Sequence, residues 1–132
     1  MTGRRPLGKY ALSIVLVAIG AFAGANLRYG VGLIVGSSLL STALVNVLGC
    51  YALGVLFYHG QLFGVVSERG QRVLGTGLLS SFTTYSTFVL DTVTATPVTG
   101  VVYLFGSYAF GFAGVLLGRE TVRRIAGQGG HR

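Results

Sequence analysis

The sequence predicts an all-α integral membrane protein with four transmembrane helices. Of its 132 residues, 52% are hydrophobic and only 10% are charged, whereas about 25% of the residues of a soluble domain are charged. The mean hydropathy is +0.71. A bilayer core about 30 Å thick requires about 20 apolar residues per helix. The apolar residues form four such stretches, so we expect a single membrane domain over residues 1–132, with no soluble domain.

The four apolar stretches give the predicted helices and the links between them. The helices cover approximately residues 10–29, 39–58, 73–90 and 98–118. The links cover residues 30–38, 59–72 and 91–97, and each is short enough that neighbouring helices run in opposite directions. The tail at residues 126–132 is glycine-rich and polar, so we predict that it is disordered.

The basic residues predict how the helices are oriented. With the exception of Arg28, they lie in the N-terminal tail, the second link or the C-terminal end: Arg4, Arg5, Lys9, Arg69, Arg72, Arg119, Arg123, Arg124 and Arg132. Four crossings place these three regions on one side of the membrane. The positive-inside rule therefore predicts a multi-pass protein of the cell membrane with cytoplasmic N and C termini. The net charge of +7 is therefore expected to interact with lipid headgroups rather than with nucleic acid.

Arg28 is the exception to this charge pattern, because it ends the first predicted helix on the otherwise uncharged side. An arginine at the centre of a membrane helix costs about 2.5 to 3.5 kcal/mol on insertion scales, and less near the helix ends. Two interpretations remain open. The side chain either snorkels to the headgroups or lines the entrance for an anion.

The third helix carries an unusual run of hydroxyl groups. Between Ser80 and Thr87 the sequence is SSFTTYST, so seven of eight consecutive residues bear a hydroxyl near the centre of the helix. One or two such groups commonly bond to carbonyls of their own helix. Seven favour a helix that is broken near residues 80–83, with the freed backbone groups lining a polar cavity or binding an ion.

Other polar and aromatic side chains on the predicted helices are candidates for function, and for several of them two interpretations remain open. Asn46 lies near the middle of helix two, and Tyr103 and Ser107 are four residues apart on helix four. Tyr103 and Ser107 either form a polar track, or Ser107 bonds locally and Tyr103 lies at the membrane interface. Tyr85 and Phe88 share one side of helix three, which usually indicates packing, although the weakly positive edges of aromatic rings can also face a small anion.

The acidic residues are expected at or beyond the helix ends. They are Glu68, Asp91 and Glu120. A chain without carboxylates inside its helices is not expected to couple transport to protons or to act as a carboxylate-based enzyme. The sequence also contains no nucleophile–base pair, phosphate loop or metal-spaced cluster, so we expect no enzyme activity.

Three segments resemble the Fluc-type (CrcB-like) fluoride channels in order and spacing. They are GAFAGANLRY at Gly20–Tyr29, TALVNVLG at Thr42–Gly49 and GTGLLSSFTTYSTF at Gly75–Phe88. The third is similar to the glycine-rich break and Thr-Thr-Phe-Ser-Thr-Phe run of that family. The resemblance covers nearly the whole chain. It implies a fluoride-selective channel that exports fluoride passively from the cytoplasm and so protects against fluoride toxicity.

The resemblance also implies an assembly and a structural cofactor. Members of the family are antiparallel dimers of four-helix subunits with two pores. A central sodium ion is held by backbone carbonyls at the break, which by position belong here to Ser80 and Thr83. The family usually has Gly-Gly where this chain has Ser80 and Ser81, and Phe where it has Tyr85.

The same resemblance implies which residues line the pore. Tyr85 and Phe88 match the paired pore phenylalanines, and Asn46 matches a polar group of the pore. Thr84, Thr87, Tyr103 and Ser107 are further candidates for the lining, whereas Arg28 is a candidate from its position at the end of helix one.

The location of the basic residues on one side of the membrane helps to predict the partner in the dimer. Family members that form homodimers insert in both orientations and need little charge bias. The bias here favours a heterodimer with an oppositely oriented homologue, a homodimer being the alternative. Two other functions remain open: a non-conducting structural or assembly subunit, and a small multidrug exporter. Such exporters have a Glu in the first helix, which this chain lacks.

Overall fold

The computed structural model describes residues 7–64 and 67–129, and these are helical apart from short turns. The elements in chain order are α1 (Leu7–Val35), α2 (Ser38–Phe63), α3 (Glu68–Gln71), a π-helical segment (Arg72–Leu79), α4 (Ser80–Phe82), α5 (Tyr85–Thr94) and α6 (Pro97–Gly129). Four spans in the described part are long and apolar enough to cross a membrane: Tyr10–Val35, Ser38–Phe63, Arg69–Thr94 and Pro97–Gly127. The predicted four-helix membrane fold is confirmed.

Short turns with recognisable capping residues separate the spans. Gly36 adopts a φ of +69° between α1 and α2, and the hydroxyl of Ser37 then accepts the Leu40 N–H at 3.5 Å. Gly64 ends α2 in the left-handed conformation, with a φ of 60°. Pro97 is the first residue of α6, a position where its missing N–H costs nothing. These turns make successive spans antiparallel.

The helices extend beyond the bounds predicted from hydropathy. Residues 30–35, 59–63 and 91–94 were assigned to links and are helical. The prediction of a disordered tail was wrong for residues 126–129, which continue α6, while 130–132 lie outside the described residues, as do Arg4 and Arg5. The backbone hydrogen bonds of a helix need no apolar side chains, so a helix does not end where the hydrocarbon does. Buried Val122 and the Glu120–Arg124 pair support the extension of α6.

Glycines bring the first and third spans into close contact. A Cβ atom added to Gly20 would lie 2.7 Å from the carbonyl oxygen of Val73, and one added to Gly77 would lie 2.7 Å from that of Val17. Small residues permit such close approach of membrane helices. The contact holds the π-helical segment against α1, and the third span is interrupted immediately after it.

The second and fourth spans pack in the same manner. A Cβ atom on Gly114 of α6 would lie 3.0 Å from the carbonyl oxygen of Val47. One on Gly54 of α2 would collide with the carbonyl oxygen of Val115. The α2–α6 pair is therefore closely packed, and the interruption of the third span lies beside it.

Candidate functional site

The third span is interrupted at Thr83 and Thr84. Thr83 has φ −78° and ψ 163°, and Thr84 has φ −149° and ψ 121°, so both are extended between α4 and α5. The break was expected near residues 80–83, but residues 80–82 are helical and Thr84 belongs to the break. The reason is that Thr84 has hydrogen-bond partners outside its own helix.

Asn46 of α2 provides those partners. Its Oδ1 accepts the backbone N–H of Thr84 at 2.8 Å, and its Nδ2 donates to the backbone carbonyl of Thr84 at 3.0 Å. An unsatisfied backbone group in hydrocarbon costs several kcal/mol. One amide side chain thus satisfies both polar groups of the residue that leaves the helix. The structure assigns Asn46 to holding the break open, a role that sequence reasoning did not give it.

Some hydroxyls of the SSFTTYST segment form hydrogen bonds with backbone groups at the break. Thr84 caps α5, since its Oγ1 accepts the N–H of Thr87 at 3.3 Å and donates to the Thr87 hydroxyl at 3.0 Å. Thr83 Oγ1 donates to the carbonyl of Leu79 at 3.0 Å. Thr83 therefore bonds to a carbonyl of its own helix, as the simpler interpretation predicts. The helix is nevertheless not continuous.

The backbone carbonyls of residues 80–83 lose their usual helical donors at the break, including the two that were predicted to hold a cation. In a regular helix, the carbonyl of Ser80 would accept from the N–H of Thr84, and that of Thr83 from the N–H of Thr87. Those two N–H groups bond instead to Asn46 Oδ1 and to Thr84 Oγ1. The residues predicted to hold a cation therefore present carbonyl oxygens with spare acceptor capacity.

Arg28 points towards the break rather than away from it. It lies inside α1, is half-buried, and its Nη1 is 3.4 Å from the carbonyl oxygen of Thr83. This long contact is a weak hydrogen bond. The structure does not support the snorkelling interpretation, because the guanidinium reaches inward.

Two cavities adjoin the break. A groove of about 500 Å³ contains five of the predicted pore residues, Asn46, Thr84, Tyr85, Phe88 and Ser107, and the predicted cation residues Ser80 and Thr83. A smaller cavity of about 270 Å³ contains the other predicted residues Arg28 and Thr87, together with Ser38, Thr42 and Thr84. Thr84 lines both, whereas Tyr103 lines neither of them.

Phe88 is the centre of an aromatic cluster beside the groove. It is 7% exposed, and its ring centroid lies 5.4 Å from that of Tyr103. Tyr108 meets it edge to face, at 5.9 Å and 88°. Tyr85 lies at 6.1 Å but is 73% exposed in the single chain. Sequence reasoning missed Tyr108, which no spacing distinguishes from the exposed aromatic residues of α6.

Asp91 was also missed. It lies inside α5, is 8% exposed, and its Oδ1 accepts the hydroxyl of Ser38 at 2.7 Å. The expectation that no carboxylate lies inside a helix was wrong, because α5 continues to Thr94 beyond the apolar stretch. Within the described residues, three buried polar atoms have no hydrogen-bond partner, namely Asp91 Oδ2, Tyr103 OH and Ser107 Oγ.

Comparison with known proteins gives a consistent result. The model of the family described as "CrcB-like protein, Camphor Resistance (CrcB)" matches residues 15–119. A Haloarcula marismortui protein named fluoride-specific ion channel FluC 1 is 55% identical over 117 residues, covering 89% of this chain and 91% of the relative. A Halobacterium salinarum protein named fluoride-specific ion channel FluC 2 is 44% identical, covering 92% and 95%.

A third relative, from Natronomonas pharaonis and also named fluoride-specific ion channel FluC 1, is 41% identical, covering 84% of this chain and 94% of the relative. These alignments and the family match span all four membrane helices and include the interrupted third span. The chain therefore belongs to the CrcB-like family.

Proposed function

We propose that this chain is a subunit of a fluoride-selective channel that lets fluoride leave the cytoplasm passively and so protects the cell from fluoride toxicity. The observation that carries the proposal is the interrupted third span, beside which hydroxyls and aromatic rings line a groove. The names of the relatives support fluoride as the ion. They also support a channel rather than an enzyme.

The chemistry of the groove suits a small, strongly hydrated anion. Fluoride that enters a narrow pore must exchange water for other hydrogen-bond donors. The hydroxyl of Ser107 is buried beside that of Tyr103 and lines the groove, so it is placed to donate to an ion there. Phe88 contributes a ring whose weakly positive edge attracts an anion without a competing charge. Arg28 adds a positive charge at the smaller cavity.

A structural sodium ion forms part of the proposal. The carbonyls of Ser80 and Thr83 fit this role because their helical donors are engaged elsewhere. Unwound backbone carbonyls are common sodium ligands in membrane proteins. A carbonyl has two lone pairs, so the contact from Arg28 leaves Thr83 able to bind a cation. Bound between two subunits, the ion would stabilise the dimer rather than be transported.

The proposed assembly is an antiparallel dimer with two pores. The groove is open on one side, and its residue Tyr85 is 73% exposed in the single chain. A second subunit would cover this side and complete each pore. The basic residues favour a fixed orientation with cytoplasmic termini, and hence a heterodimer with an oppositely oriented homologue. Two identical chains would require insertion in both orientations.

Fluoride efflux from liposomes, followed with a fluoride electrode, tests the function. The chain is reconstituted alone and with a co-expressed homologue of reversed loop charges. We expect efflux only with the homologue, and we expect Phe88→Ile and Asn46→Asp to reduce it. Phe105→Ile is the matched control, because Phe105 is 68% exposed on α6. Equal efflux in all variants would contradict the proposed pore, and robust efflux from the chain alone would contradict the heterodimer.

The two other candidate functions have less support. A non-conducting assembly subunit would be favoured by a continuous third helix, and the third span is interrupted. A small multidrug exporter would need a carboxylate in the first span, where the sequence has none.

A further inference from the structure

The C-terminal end of α6 carries a basic surface that the proposed channel function does not use. This helix of 33 residues is about 50 Å long at 1.5 Å per residue, which exceeds the hydrocarbon thickness of about 30 Å. Its last lipid-exposed leucines are Leu116 and Leu117, 60% and 62% exposed. Arg119 and Arg123 follow within the next two turns and are also exposed. The surface therefore lies at headgroup depth.

Glu120 is the acidic residue of this surface, and its main hydrogen-bond partner is a third arginine, Arg124. Glu120 Oε1 accepts from Arg124 Nε at 3.1 Å, within hydrogen-bond distance. Arg123 Nη1 is 3.8 Å from Glu120 Oε2, which is too far for a hydrogen bond. Glu120 is therefore paired mainly with Arg124, and the N–H groups of Arg123 remain available to donate hydrogen bonds to a ligand.

Arg119 is oriented by an aromatic ring. Its guanidinium carbon lies 5.4 Å from the ring centroid of Tyr58 on α2. A cation–π contact at this distance is electrostatic and does not use the guanidinium N–H groups as hydrogen-bond donors, so they can still bind an anion. Arg119 and Arg123 are four residues apart on one helix, so they share a face. Two arginines with available donors therefore point from one helix face into the headgroup layer.

We propose that Arg119, Arg123 and Tyr58 form a binding site for the phosphate of an anionic phospholipid. The guanidinium group matches phosphate oxygens in geometry and charge. The adjacent exposed leucines contact the acyl chains of the same lipid. A soluble anion would not use the leucines, and the headgroup depth of the site favours a lipid.

Lipid binding to the purified full-length protein in mixed micelles tests the site. The probe is phosphatidylglycerol, with phosphatidylcholine as the neutral comparison, and binding is followed by native mass spectrometry and by the shift in Tm. We expect tighter binding of phosphatidylglycerol. Arg119→Gln and Arg123→Gln should each weaken it about fivefold, the typical contribution of one cation near an anionic surface. An unchanged Tm in phosphatidylcholine would show that the variants fold.

Matched variants distinguish a built site from general electrostatic attraction. Arg119→Lys keeps the charge but loses the planar donor edge, so it should weaken binding. The double variant Glu120→Gln/Arg124→Gln keeps the net charge and should not change binding. Wild-type affinity in Arg119→Lys, or an equal loss in Arg69→Gln, would overturn the site in favour of general attraction. A Tm shift by inorganic phosphate equal to that by the lipid would overturn the lipid as its occupant.

Discussion

The side-chain amide of Asn46 replaces a helical neighbour for Thr84, bonding its N–H at 2.8 Å and its carbonyl at 3.0 Å. The two residues are 38 positions apart in the sequence. The interruption of the third span thus depends on a tertiary contact with α2. It is not a local property of the Thr-rich segment alone.

Asn46→Ala should destabilise the fold by about 2 to 6 kcal/mol, because two buried backbone groups lose their partners at about 1 to 3 kcal/mol each. Thermal unfolding in detergent measures the change. Asn26→Ala is the matched control, since Asn26 only bonds to Phe22 of its own helix at an exposed site. Similar losses in the two variants would contradict the role of Asn46 as a clamp on the backbone of Thr84.

Arg28→Gln should lower the rate of fluoride efflux by on the order of tenfold, because a charge in a low-dielectric cleft concentrates the opposite ion. Efflux as a function of ionic strength measures the effect, and the wild type should show the steeper dependence. Arg28→Lys should retain part of the rate. An unchanged salt dependence in Arg28→Gln would show that the Arg28 contact to Thr83 is only structural.

Ser38 and Asp91 should be energetically coupled. Their hydrogen bond of 2.7 Å joins a hydroxyl to a buried carboxylate, and bonds to charged groups contribute about 1.5 to 3 kcal/mol. A double-mutant cycle with Ser38→Ala and Asp91→Ala, followed by the free energy of unfolding, measures the coupling. The exposed hydroxyl pair Thr96–Thr99, at 2.8 Å, is the control and should couple below about 1 kcal/mol.

Gly20→Ala should destabilise the protein by about 1 to 3 kcal/mol, the usual cost of overpacking. The added methyl group would lie 2.7 Å from the carbonyl oxygen of Val73. Gly106→Ala is the comparison, because an added Cβ atom there meets nothing within 4 Å. That variant should be neutral, or stabilised by up to about 1 kcal/mol through helix propensity. The Tm values of the two variants measure this difference in stability.

The sequence allowed the four helices to be predicted because hydropathy reports directly on burial in lipid. The density of hydroxyls similarly indicated an interrupted third helix. The exact position of the break depends on Asn46, and a contact between two helices leaves no local signal. Asp91 was assigned to a link because an apolar stretch ends where side chains become polar, whereas a helix ends where its backbone bonds do. The arginine contact to Thr83 was beyond sequence reasoning for the same reason as the clamp.

The interruption at Thr83 and Thr84 also divides one helix dipole into two. Aligned peptide groups give a helix about half a positive charge at its N-terminus and half a negative charge at its C-terminus. The end of α4 and the start of α5, at Phe82 and Tyr85, therefore bring opposite partial charges to the same depth of the membrane. An unbroken helix would keep these charges at the two membrane surfaces. A single two-residue break thus supplies both a cation-attracting and an anion-attracting end within the bilayer, in addition to the charge of Arg28.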